Sequence, residues 1–244
     1  MAEKYLINQA SLTALGNIVR DYNETEDAYS LAEITRQLRE NSENFKAMFT
    51  GTLSELKSTS ATKIGRAQFG GLSISKVNLP NVTTIEENTF KYGILGEFNS
   101  PSLQTVGKEA FKYASFNKPV YWPSLTAIEN SAFVGVSLVS AYFPSLEIIG
   151  AGSFLSGSVE GYVILKDLPT LQFAPHEWYG LFFMVPPGKF DDFCNDSNWA
   201  ILADGGYIEE AVSFESDYDH VWEIFIENGI LTEAEIRRDF YGES

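Results

Sequence analysis

Four stretches align without a gap: residues 80–90 read PNVTTIEENTF, residues 101–111 PSLQTVGKEAF, residues 123–133 PSLTAIENSAF and residues 144–154 PSLEIIGAGSF. They share the pattern P-x-[LV]-x-x-[IV]-x-x-x-[AST]-F, and their prolines lie 21, 22 and 21 residues apart. A degenerate earlier copy puts Ile64 and Phe69 in register, and a degenerate later copy is read from Pro169 with Leu171 kept. A unit this short cannot bury its own apolar face, so neighbouring copies must stack.

Working outward from the motif, the residues before each proline alternate as a strand does. Val77 and Leu79 point inward, while Lys76 and Asn78 point outward. Proline then ends the strand, because it has no amide donor to continue a ladder. The aliphatic pair and the closing phenylalanine of each copy are core positions. Phe69, Phe90, Phe111, Phe133 and Phe154 are expected to form one ladder along the axis. The expected fold is an α+β solenoid: a leucine-rich-repeat-type stack of coils of ~21 residues, each a strand, a turn and a short helical or irregular return, flanked by small N- and C-terminal helical modules. Its parts are residues 1–58, 59–189 and 190–244.

These motifs resemble the BspA-type leucine-rich repeat, whose I-x-x-x-A-F signature is followed by a strand ending in proline. Such repeats occur in bacterial and protist surface proteins and in proteins of phages and prophages. The resemblance implies recognition and names no ligand. The stretch from Val185, VPPGKFDDFCNDSNWAILAD, resembles the element that closes these arrays in phage-type members, matching at Val185, Pro186, Phe193, Trp199, Ala203 and Asp204. Phe190, Phe193 and Trp199 are expected to cover the last apolar layer, as the end of a solenoid requires.

The N-terminal stretch has Leu12, Leu15, Ile18 and Val19 at helical spacing, and Ser30 to Glu33 is a capping box opening a second helix with Leu31, Ile34 and Leu38 on one face. Leu6-Ile7, Leu12 to Leu15, Ile18 to Arg20 and Leu31 to Ile34 resemble a short module of phage and prophage structural proteins. That resemblance implies attachment to other virion proteins, or oligomerisation, through these helices, and hence a homo-oligomer located on the virion.

The acidic tail reads as a helical hairpin. Tyr218 to Asn228 is one helix stopped by Gly229, and the capping box Thr232 to Glu235 opens another. Trp222, Phe225, Ile236 and Phe240 form an apolar face that needs a partner. The solenoid's flank and another subunit fit it equally well.

Net charge is −16. Residues 59–189 balance at 9 basic and 9 acidic side chains, whereas residues 190–244 hold 2 basic and 15 acidic. Phosphate backbones attract Lys and Arg, so nucleic-acid binding is not expected. No apolar run is long enough to span a bilayer, and the first residues show no basic start followed by an apolar core, so neither membrane insertion nor an export signal is expected.

No nucleophile, base and orienting group stand together. The two histidines, His176 and His220, lack metal-ligand spacing, and the lone Cys194 sits among acidic residues that do not favour a thiolate. The pairs Glu86-Glu87 and Glu209-Glu210 read as solvated charge. Asp191-Asp192 and Asp217-x-Asp219 lack a calcium-loop pattern. Asn23 and Asn81 fit the glycosylation pattern only as chance matches. No enzyme, cofactor or metal is expected.

On the sheet, the row two places before each proline is Asn78, Asn99, Tyr121 and Tyr142, and the row four places before is Lys76, Glu97, Pro119 and Ser140. Both rows are expected to face outward. The two tyrosines, with Trp122 near them, are the candidate contact for a host surface protein or glycan, or else a cross-strand ladder that touches nothing. Taken together, these readings point to a non-enzymatic phage virion structural protein acting as a fibre, spike or decoration. A bacterial cell-surface adhesin is the second reading.

Overall fold

The computed structural model describes residues 51–173, 178 and 180–243. The helices expected before residue 51, and His176, lie outside these residues.

The described chain winds as stacked coils whose strands pair in parallel, so successive coils add successive rungs to the same walls. The first wall is a six-stranded sheet in the order Thr52–Lys57, Ser73–Asn78, Ile94–Asn99, Ser115–Phe116, Ser137–Leu138, Ser158–Val159. The second is five-stranded and adds Val120–Tyr121, Ala141–Phe143, Val163–Leu165, Phe183–Val185 and Ile208–Glu210. The third consists of two-residue strands from Lys63–Ile64 to Thr170–Leu171. Register follows the repeat: Ile74 pairs with Leu95, Val77 with Phe98, and Ile64 with Ile85.

The long strands of the early coils bury Ile74 and Val77, three residues apart, so strict alternation breaks once at a corner between faces. Beyond it, Val77 and Leu79 are fully buried while Lys76 and Asn78 stay partly exposed, as the alternation requires. In the later coils the corner splits the strand in two, and one extra residue within Asn117-Lys118-Pro119 accounts for the 22-residue spacing there. The strands stop just before Pro80, Pro101, Pro123 and Pro144.

The phenylalanine ladder is present. Ring centroids are 5.6 Å apart for Phe69–Phe90, 5.4 Å for Phe90–Phe111, 5.3 Å for Phe111–Phe133 and 5.2 Å for Phe133–Phe154, and no pair is tilted by more than 17°. Four of the five rings are fully buried, and Phe69, in the first described coil, is half-buried. A second aromatic group, Phe98, Trp122 and Phe143, packs beside them. Where the small residue before the ladder position carries a hydroxyl, it closes two buried carbonyls. Ser153 Oγ donates to Gly150 O at 2.7 Å and to Glu129 O at 2.8 Å.

The return is not helical: it consists of a two-residue strand and turns. Its amides form a third ladder, in which Asn88, Phe90 and Tyr92 N–H donate to Lys108, Ala110 and Lys112 O of the next coil at 3.1, 2.8 and 2.9 Å. The geometry repeats a left-handed residue two places before and two places after each phenylalanine. Before it stand Ala67, Asn88, Glu109, Ser131 and Gly152, and after it Gly71, Tyr92, Tyr113, Gly135 and Ser156, all at φ between 54° and 72°. Each β-carbon at such a site costs roughly 1–2 kcal/mol, which the inter-coil hydrogen bonds and the buried ring offset.

Both limits of the array shift from those read in sequence. The first described rung is Thr52–Lys57, paired with Ser73–Asn78, ahead of residue 59. At the other end, Phe183–Val185 and Ile208–Glu210 extend the second wall past residue 189. The late copy is also misregistered in the sequence reading. Leu171 pairs with Ile149, the second aliphatic of its copy, so Lys166 rather than Pro169 takes the proline's place. Trp178 closes the ladder edge-on against Phe154, 5.5 Å away. Phe193 and Trp199 seal the end as expected, with Trp199 Nε1 donating to Pro169 O at 2.7 Å. Phe190 stays half-buried. The helices carrying this cap are α1 (Phe190–Asn195) and α2 (Ala200–Asp204).

Candidate interaction surface

The acidic tail folds back on its own chain. Helix α3 (Phe214–Asp217), capped by Ser213, runs through a π-helical turn (Tyr218–Trp222) into α4 (Glu223–Glu227), so it begins four residues earlier than the sequence spacing indicated. Helix α5 (Glu233–Ile236) opens with the expected capping box: Thr232 Oγ1 accepts from Glu235 N–H, and the Glu235 carboxylate accepts from Thr232 N–H at 2.8 Å. The Thr232 hydroxyl, 2.7 Å from the Glu235 carboxylate, and the Thr232 N–H hold that carboxyl below its ordinary range.

Trp222, Phe225, Ile236 and Phe240, the four residues in search of a partner, join one buried cluster with Val221, Phe214 and the sheet residues Tyr142, Ile164 and Met184. The hairpin therefore packs in cis on the second wall. Tyr142 is 2% exposed, edge-on to Trp222 at 5.6 Å and to Phe240 at 6.0 Å. Its hydroxyl has no partner, and burial pushes its phenol pKa well up. Tyr121 stacks on Tyr142 at 5.6 Å and is half-buried at the edge of the cluster.

The expected exposed tyrosine pair is thus corrected: alternation correctly turned both rings away from the coil interior, but a second layer covers them. Trp122 is fully buried on the opposite side of the strand, and Pro119 and Ser140 of the next row are buried too. A Tyr121→Ser/Tyr142→Ser variant would disturb folding and cannot isolate binding.

A buried polar group pins the hairpin. Asp217, 3% exposed, accepts from Val212 N–H at 2.9 Å and from the Tyr241 hydroxyl at 2.7 Å, and that hydroxyl accepts from Trp222 Nε1 at 2.9 Å. Desolvation, with Asp217 beside it, pushes the Tyr241 phenol up. Arg237 clamps the hairpin's outer side, bonding Glu215, Glu233 and Glu243 at 2.5, 2.7 and 2.8 Å with its guanidinium 4.3 Å from the Phe214 ring centroid.

The other half of the outward row stays open. Asn99 Nδ2 donates to Asn78 Oδ1 at 3.0 Å, and Lys76 pairs with Glu97 at 3.1 Å. Where this open face meets the hairpin, a cleft of about 420 Å³ lies between Glu97, Asn99, Tyr121 and Ile230, with Lys118 Nζ donating to Asn228 Oδ1 at 2.9 Å.

The carboxylate pairs tie coils together. Arg66 N–H donates to Glu86 at 3.1 Å and its guanidinium bonds Glu87. Glu209 accepts from the Tyr162 hydroxyl at 2.7 Å, and Glu210 accepts from Phe190 N–H at 3.1 Å. The Cys194 thiol pKa is raised by desolvation and by nearby Asp191 and Asp204. Among the described residues, no group of three or more His, Cys, Asp or Glu is placed to hold a metal, and no helix is long and apolar enough to cross a membrane.

One exposed pair escaped the sequence reading. Tyr92 and Tyr113 stack at 5.3 Å on the return face. Their signal was the repeated Phe-Lys-Tyr that follows two consecutive ladder positions, residues 90–92 and 111–113.

The described residues form a stacked β-solenoid that offers continuous walls, one of them covered in part by the chain's own tail. Residues 42–160 match the BspA type leucine rich repeat region, in 6 copies, a repeat that is typically a non-enzymatic binding scaffold. No curated protein and no solved structure gives a significant match.

Proposed function

We propose that the chain is a non-enzymatic structural protein of a phage or prophage particle, a fibre, spike or decoration that presents its repeat surface to a host surface protein, a glycan or another protein. The observation that carries the binding role is the division of the outward row. Its tyrosine half is covered in cis, while Asn78, Asn99, Lys76, Glu97 and the cleft beside Tyr121 remain open to a partner. Solenoids use such continuous rows because each rung repeats a contact at a fixed interval. The particle assignment is supported by the N-terminal resemblance, carried by residues 6–34, under which residues 1–58 serve as an attachment or oligomerisation module towards other virion proteins.

Mass spectrometry of particles purified from the source organism tests this directly. The chain is expected among the particle proteins in stoichiometric amount. Recovery from the cell envelope instead would replace the proposal with a surface adhesin carrying the same repeats. Charge-reversing Lys76→Glu together with Glu97→Lys, which preserves the pair, should leave partner binding weakened but melting unchanged.

A further inference from the structure

Two consecutive coils follow the ladder phenylalanine with the same residues, Lys91-Tyr92 and Lys112-Tyr113. Both tyrosines stand in the left-handed region, at φ 61° and 58°, and both are exposed, at 58% and 48%. The coils on either side place Gly71 and Gly135 at this position, where glycine meets the backbone demand without strain. An aromatic residue is the costlier choice here, and since its ring is not buried, core packing does not explain it.

The rings are held firmly. They stack with a tilt of 16°, and Lys91 and Lys112 each place an ammonium 5.7 Å from the neighbouring ring centroid. Glu109 anchors both lysines, at 2.8 and 3.4 Å.

The two ends of the stack differ. A β-carbon at Gly135 would fall 2.3 Å from the Tyr113 ring, so that ring rests directly on the glycine backbone. At Gly71, on the opposite side of Tyr92, a β-carbon would meet nothing within 4 Å. Among the described residues Tyr92 therefore borders a vacant rung, and one rung is ~4.8 Å deep.

We propose that Tyr92, Tyr113 and the vacant rung at Gly71 form a carbohydrate site that stacks one pyranose ring of a cell-surface oligosaccharide. The apolar C–H face of the sugar lies on Tyr92, and its hydroxyls reach Lys91, Lys112 and Glu109. A pyranose fits the depth of one rung and needs both an aromatic face and polar neighbours. A nucleobase would stack as well, but its phosphates need free cations, and both nearby lysines, Lys91 and Lys112, are already paired with Glu109. A protein anchor calls for a closed apolar pocket, whereas Tyr92 and Tyr113 stand exposed. The inference rests on the binding-scaffold part of the proposed function and is independent of the particle that carries the chain.

The test uses the full chain on an immobilised panel of bacterial surface oligosaccharides, with hits verified by saturation-transfer NMR on the free sugar. Two variants separate binding from folding. Tyr92→Asn keeps a residue that tolerates positive φ and removes the ring, whereas Gly71→Asn keeps both rings and fills the vacant rung. Wild type should bind at least one pyranose-containing glycan, with saturation strongest at the ring C–H protons of a single sugar. Each variant should lose about ten-fold or more in affinity, about 1.4 kcal/mol, with its circular dichroism melt preserved. A panel without any bound glycan would overturn the proposal, as would equal binding by both folded variants. Neither result would change where mass spectrometry finds the protein.

Discussion

The phenylalanine at the end of each motif does two things at once: its ring fills the axis, and its amide bonds the next coil. Phe111 is fully buried between Phe90 and Phe133, and also touches Phe116 and Trp122. We expect Phe111→Ala to cost roughly 3–5 kcal/mol in urea unfolding, because both stacked neighbours lose a face and a cavity is left. A loss under about 1 kcal/mol would mean that the ladder is not the core. Gly152 isolates the backbone contribution: it sits at φ 62° with Ser131 Oγ at 3.9 Å the nearest atom to an added β-carbon. Gly152→Ala should therefore destabilise by about 1–2 kcal/mol through conformation alone. The phenylalanines were legible because burial restricts the side chain. The left-handed positions were not, since Ala, Asn, Glu, Ser, Gly and Tyr all occupy them. There the demand falls on the backbone, and it leaves no common side chain to read.

At the scale of the element, the hairpin changes which surface is available. Trp222 contacts Tyr142, Phe225, Phe240 and Tyr241. Trp222→Ala should free the hairpin, giving protease cleavage after residue 212 and amide exchange at Tyr142 while the ladder amides stay protected. If the ladder amides lost protection together with the hairpin, the two layers would be one cooperative unit. Acid should act on the same element. Glu235 and Glu215 both have carboxyl pKa values lowered in the fold, by Thr232 and by Arg237 respectively. A lowered folded value means that their stabilisation is complete above the unfolded pKa of about 4.3 and is lost as pH falls through the folded value. Hairpin exchange rates should therefore rise below about pH 4, after correction for intrinsic exchange, and Glu235→Gln should flatten that response. Sequence alone gave the helices, the capping box and the apolar face. It could not say what that face covers, because an outward-facing strand residue carries the same alternation whether it meets water or a second layer.

Across the described part of the molecule, one period organises three walls, and the closing elements keep its last apolar layer from water. The interior repeats, so its period could be counted in sequence. The ends had to be seen, because Leu171, Trp178 and Trp199 seal the stack without following the motif. The central claim is that residues 21 positions apart occupy adjacent rungs of one wall. It is tested most directly by oxidative cross-linking in a Cys194→Ser background. Asn78 and Asn99 pair in register, so Asn78→Cys/Asn99→Cys should close a disulfide readily across a gap of ~4.8 Å, whereas Asn78→Cys/Tyr121→Cys, two rungs apart, should not. Equal cross-linking of the two pairs, or faster closure of the distant one, would contradict the stack.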